Sequence, residues 1–141
     1  DDFPPPPRAG RSRRRMSLEE CQAHLKRVMT TPKVEKLVSQ VNHALGENGE
    51  ELLIECKVCE DEGPMAVARA FLAAPPTSIT VCANAMRNPE EVEEALVHEL
   101  IHAYDYCVDK ADLSDCYLLA CSEVRAAREA ECLNGFFPFK W

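Results

Sequence analysis

His98-Glu99-Leu100-Ile101-His102 sits within residues 88–106, a stretch that reads as a single helix. Asn88-Pro89-Glu90-Glu91 opens it, with a capping side chain, proline at the first helical position, and acids facing the positive end of the helix dipole. Residues four apart on a helix share one face, a turn apart. His98 and His102 can therefore each aim a ring nitrogen at one Zn2+ ion. Glu99 then stands beside the metal's open position, where it can take a proton from a water attacking a carbonyl. Three specified positions in five also occur by chance, but two further features favour a site. The chain has four histidines and two of them are here. The helical neighbours of Glu99 are Ala95, Leu96, His102 and Ala103, and a carboxylate on so apolar a face is costly unless it has a partner. The expectation is one catalytic zinc with His98 and His102 as ligands and Glu99 as base.

An open catalytic zinc site needs a third protein ligand. Glu123 fits best. Residues 112–132 read as the next helix, and the neighbours of Glu123 along it are Leu119, Ala120, Ala126 and Ala127, so it faces inward. Two antiparallel helices joined by a short loop would bring it opposite the histidines. Glu129 and Glu131 have arginines beside them and read as solvent-facing. Asp105 is the rival ligand, but one helix cannot easily wrap three ligands and a base around one ion. Asp105 is better suited to orienting His102 from behind, as carboxylates do for metal-bound imidazoles. Tyr104 and Tyr106 read as packing residues, and His24 and His43 as surface residues. Arg125 suits pairing with an acid near the site, without a unique partner.

The remaining pattern places this helix pair in an α+β domain. Ser17 and Glu20 form a capping box at the start of a helix over 17–29. A second helix spans 32–44, with Val34, Leu37, Val38 and Val41 on one face. Residues 52–56 and 78–82 read as strands, and 66–72 is ambiguous between strand and helix. The strand at 78–82 is either an ordinary internal strand or an edge strand that pairs with an extended peptide above the site. Asn134-Gly135 stops the last helix. The domain therefore covers 17–135, between a Pro/Arg-rich tail at 1–16 and an apolar tail at 136–141.

Charge and length exclude several classes. The 141 residues carry a formal charge of -8. Residues 1–16 hold five of the 16 basic residues and two of the 24 acidic ones, so the body has 11 against 22 and stands at -11. Such a body is a poor match for a phosphate backbone, and no nucleic acid is expected as partner. The arginine cluster reads as a solvated tail or a targeting remnant. No apolar run approaches the roughly 18 residues of a membrane-spanning helix, which leaves peripheral contact open. The first residue is Asp, as in a fragment or a processed form.

There are eight cysteines. Cys56 and Cys59 form the one C-x-x-C, and an all-cysteine zinc site wants a second such pair. Disulfides in an oxidising compartment are the better expectation, with the pairing left open.

The stretch 98–107 (HELIHAYDYC) followed by 120–127 (ACSEVRAA) resembles the mitochondrial inner-membrane metalloprotease family that processes and helps assemble ATP synthase, also called the Ku-binding family. The resemblance covers about residues 20 to 133. It implies a zincin-like fold, His98, His102 and Glu123 around zinc, and Glu99 as base. It also implies a peripheral place on the inner membrane, facing the intermembrane space, with oxidised cysteines. The implied substrate is the precursor of an ATP synthase membrane-sector subunit, and the implied second role is a chaperone in its assembly. The alternative is an assembly chaperone that keeps the zinc helix without efficient cleavage. Family members continue with further cysteines, and the segment 135–141 does not match that region.

Overall fold

The computed structural model describes residues 15–60 and 68–130. The expectations for 1–14, the acidic loop at 61–67, the stop at Asn134-Gly135 and the tail at 136–141 lie outside them. Met16, assigned to the tail by sequence, is buried, and its N–H donates to the Met86 carbonyl.

Local sequence sets each helix start. α1 (Leu18–Val28) begins where the Ser17 hydroxyl accepts the Glu20 N–H at 3.1 Å. α2 (Pro32–Gly46) opens on a proline whose missing N–H costs nothing there. α3 (Pro89–Cys107) is capped by Asn88 Oδ1, which accepts the Glu91 N–H, while the Glu91 carboxylate accepts the Arg87 N–H. α4 (Cys116–Ala130) starts four residues later than its sequence implied. Asp112 folds back to accept the Ser114 N–H instead of capping a helix, and Asp115 Oδ1 takes the cap by accepting the Leu118 N–H. Short polar side chains serve turns and caps equally well, so periodicity alone did not choose between two aspartates three apart.

Three strands form one mixed sheet in the order β1 (Leu53–Lys57), β3 (Ser78–Cys82), β2 (Ala70–Ala73). β1 runs parallel to β3, and β2 antiparallel. The ambiguous 66–72 segment is thus a strand from Ala70 on. β3 is the internal strand, and Ile79, Thr80, Val81 and Cys82 are all buried. The edge beside the site belongs to β2. Cys82 donates its N–H to the Arg69 carbonyl. By strand alternation Phe71 and Ala73 then bond to β3, while the backbone groups of Ala70 and Leu72 turn away from it.

α3 is the hub. It packs on α1, α2 and α4 and on β2 and β3. Val92, Leu96, Leu100 and Ala103 are its inner side chains, and Val34, Val41, Ile79, Val81 and Met86 complete the core around them. Such a setting holds the H-E-x-x-H backbone rigid.

The C-x-x-C pair is divided between two disulfides. Cys21 of α1 bonds Cys56 of β1, and Cys59 bonds Cys82 at the end of β3. Asn84 reinforces the second by accepting the Cys59 N–H and donating to the Cys59 carbonyl, at 2.9 and 2.8 Å. An all-cysteine zinc site on Cys56 and Cys59 is thereby excluded. The Cys21–Cys56 bond spans a sequence separation of 35. Loop-closure entropy for that span predicts that replacing both cysteines by serine lowers stability by about 3–4 kcal/mol. Denaturant unfolding of the two forms measures it.

Candidate metal centre

Four side chains meet where the middle of α3 faces α4. His98 and His102 lie one turn apart, their rings edge to face with centroids 4.9 Å apart. Glu123 reaches across from α4: Oε2 lies 3.2 Å from His98 Nε2, and Oε1 lies 3.0 Å from His102 Nε2. One donor atom from each of the three residues falls within 4.8 Å of the others. Donor atoms about 2.0–2.2 Å from a tetrahedral ion stand roughly 3.3 Å apart. The two carboxylate-to-imidazole distances already match that spacing, and two imidazoles with one carboxylate form a familiar open set. The residues fit a metal ion.

The Glu123 side chain is 53% exposed, although its neighbours Leu119 and Ala120 predicted an inward position. The first turn of α4 stands clear of the body, so the centre is open to solvent on that side. His102 is its buried member, and desolvation lowers its affinity for a proton while the Glu123 carboxylate opposes that shift.

Glu99 lies on the same turn as His98, partly buried. Desolvation pushes its carboxyl from 4.5 up to about 7. The neighbouring His98 draws it down, the Glu123 charge raises it, and the Leu72 N–H lowers it by donating a hydrogen bond. Glu99 therefore touches the outward-facing edge of β2. Arg69 Nη1 ties the start of that strand to α3 at 3.4 Å from Glu94 Oε2.

Behind the histidines the sequence expectation needs correction. Asp105 was expected to orient His102. Instead the Asp105 carboxylate, 2% exposed, lies with Oδ2 at 2.6 Å from Arg125 Nη2. The His102 partner is Ser122, whose Oγ is 2.7 Å from Nδ1. Ser122 carried a legible signal that went unused: it shares the four-residue spacing of Ala126 and Ala130, the other buried residues of α4. A polar residue in that stripe needs a partner inside. Glu129 also departs from its solvent-facing assignment. Lys33 of α2 binds both its carboxylate, at 3.0 Å, and its carbonyl, at 2.6 Å, and Lys33 holds its carboxyl below the usual range. His24 and His43 lie outside the centre, with His24 Nδ1 2.7 Å from Arg27.

A model of the Peptidase M76 family matches residues 19–135. The chain belongs to that family. Its relatives include the mitochondrial inner membrane protease atp23 of Sclerotinia sclerotiorum, 39% identical over 84 residues, which are 56% of this chain and 34% of that protein. The human mitochondrial inner membrane protease ATP23 homolog is 33% identical over 113 residues, 79% of this chain and 44% of the human one. The Debaryomyces hansenii protein of the same name is 31% identical over 115 residues, 80% and 46% of the two chains. The chain thus spans about a third to a half of the length of these curated relatives. No solved structure matches it. No helix among the described residues is long and apolar enough to cross a membrane.

Proposed function

We propose that this chain is a zinc metalloendopeptidase of zincin-like architecture. The observation that carries the proposal is the convergence of His98, His102 and Glu123 next to the half-buried Glu99. Zinc held by the three ligands would supply Lewis acidity, polarising a carbonyl and making water nucleophilic near neutral pH. The protein supplies the rest. Glu99 takes the proton of the attacking water and passes it to the leaving amine. Its half-buried place on the same turn as His98 suits it to both transfers. The outward-facing backbone of Ala70 and the Leu72 carbonyl let an extended polypeptide add to the sheet edge beside Glu99, through main-chain bonds that are indifferent to sequence.

Membership of the family and the names of the relatives support work as a protease at the mitochondrial inner membrane, and the resemblance of 98–107 and 120–127 carries a finer assignment. The substrate is the precursor of an ATP synthase membrane-sector subunit. The place of work is the intermembrane-space face of the mitochondrial inner membrane, held peripherally. The disulfides Cys21–Cys56 and Cys59–Cys82 suit an oxidising compartment of that kind.

Elemental analysis with a cleavage assay tests the central proposal. Purified protein is expected to hold one zinc per chain and to cleave an unfolded polypeptide. A chelator should stop cleavage, and added zinc should restore it. Glu123→Ala should lower zinc affinity by at least about tenfold, since one of three ligands is lost. Cleavage that continues in metal-free protein would overturn the mechanism.

A further inference from the structure

We propose that Ser122 is a positioning residue for His102, fixing which ring nitrogen faces the metal. The inference rests on the zinc assignment above. An imidazole offers two polar atoms. In His102, Nε2 faces Glu123 Oε1 at 3.0 Å and Nδ1 faces Ser122 Oγ at 2.7 Å. The His102 residue is 6% exposed and Ser122 is 0% exposed, so water cannot replace the hydroxyl. Turning the ring over would exchange nitrogen for carbon at both contacts and leave a buried hydroxyl facing a C–H.

Packing alone does not call for serine here. The inner stripe of α4 is Ser122, Ala126 and Ala130, and the two alanines show what that helix contact requires. The hydroxyl occurs only at the position that meets His102. A hydroxyl also suits the task chemically because it both donates and accepts. With Nε2 given to a metal, Nδ1 keeps its hydrogen and Ser122 accepts it. The serine's own hydrogen can then turn to the carbonyl one helical turn back, as buried helical serines do. Asp105, three residues past His102, is committed to Arg125. Ser122 and Glu123 are consecutive, so one step of α4 delivers both a ligand to the metal and a support to the buried histidine.

The test compares zinc affinity of the parent, Ser122→Ala and Ser122→Thr by competition with a chromophoric chelator. It adds long-range 1H–15N spectra of the histidine rings in the zinc-loaded parent. Ser122→Ala is expected to bind zinc about 10- to 100-fold more weakly. Ser122→Thr, which returns the hydroxyl, should restore affinity to within about threefold. The parent spectrum should show His102 carrying its proton on Nδ1. Equal affinity in Ser122→Ala and the parent overturns the proposal, as does an equal loss in both variants, which marks packing. A proton on Nε2 of zinc-loaded His102 also overturns it, and this readout needs no variant to fold. If the parent binds no zinc, the metal assignment itself fails. If the parent binds zinc and Ser122→Ala binds it equally well, only the role of Ser122 fails.

Discussion

Glu99→Gln is expected to lower the rate of peptide cleavage by about 10²–10⁴-fold, the usual contribution of a positioned general base. Zinc content should stay at the parent level, because the amide removes the base and none of the three ligands. Glutamine is nearly the same shape and can still accept the Leu72 N–H. The variant also carries a signature that does not depend on activity. In the metal-free chain, burial lifts the Glu99 carboxyl from 4.5 to about 7. Between those values the unfolded state has released the proton and the folded state keeps it. The folded state thus binds more protons, and stability falls as pH rises through this window. The favourable contribution is fully present below pH 4.5 and lost above 7. Its size is at most about 3–4 kcal/mol, from about 1.4 kcal/mol per pH unit. Denaturant unfolding in the presence of a chelator, at intervals from pH 4.5 to 8, should show the fall in the parent. The parent-minus-variant difference should contain it, and other titrating groups should cancel. A variant with unchanged cleavage would remove Glu99 from the mechanism. A difference curve flat with pH would show that Glu99 is not desolvated.

The capped 88–106 stretch disclosed α3 to within a residue because cap chemistry and periodicity agree there. H-E-x-x-H needs only helical geometry, so the meeting of His98 and His102 was equally legible; Glu123 does reach them, but from a half-exposed position and not from the inward one its apolar neighbours predicted. What was not legible was the detail set by the approach of one element to another. Ser122 takes the place expected of Asp105 because Arg125, one turn beyond Ser122, pairs with the aspartate. No helical periodicity reports that competition across two helices. The sheet order is of the same kind. Residues 78–82 have the composition of either an internal or an edge strand, and only the pairing of β1 on one side and β2 on the other decides it. The cysteines illustrate a third case. Cys56 and Cys59 are close in sequence, yet β1 and its exit send their sulfurs to different elements, Cys21 on α1 and Cys82 on β3.

The Arg125–Asp105 pair has a large expected effect on stability. Asp105 stands on the last turns of α3, three residues past His102, and Arg125 stands two past Glu123 on α4. The pair therefore fastens the two helices that must stay in register for the ligands to meet. Asp105 Oδ2 makes no well-aligned hydrogen bond among the described residues, so the guanidinium at 2.6 Å is what offsets its buried charge. Arg125→Ala leaves that charge without its partner. Breaking a buried pair from one side costs about 3–5 kcal/mol. Arg125 is itself 43% exposed, and solvent reaching the vacated space reduces the expected loss to about 2–4 kcal/mol. Asp105→Asn in the same chain removes the orphan charge and should recover at least half of the loss. The double-mutant cycle should show a coupling of about 1–3 kcal/mol, since the residues touch. Zinc affinity adds a second readout. If the pair sets the α3–α4 register, Arg125→Ala weakens zinc binding even at temperatures where the variant is fully folded, and the double variant restores part of it. Additive losses in stability would mean that the two side chains act separately. Unchanged zinc affinity in a destabilised Arg125→Ala would confine the pair to holding the fold.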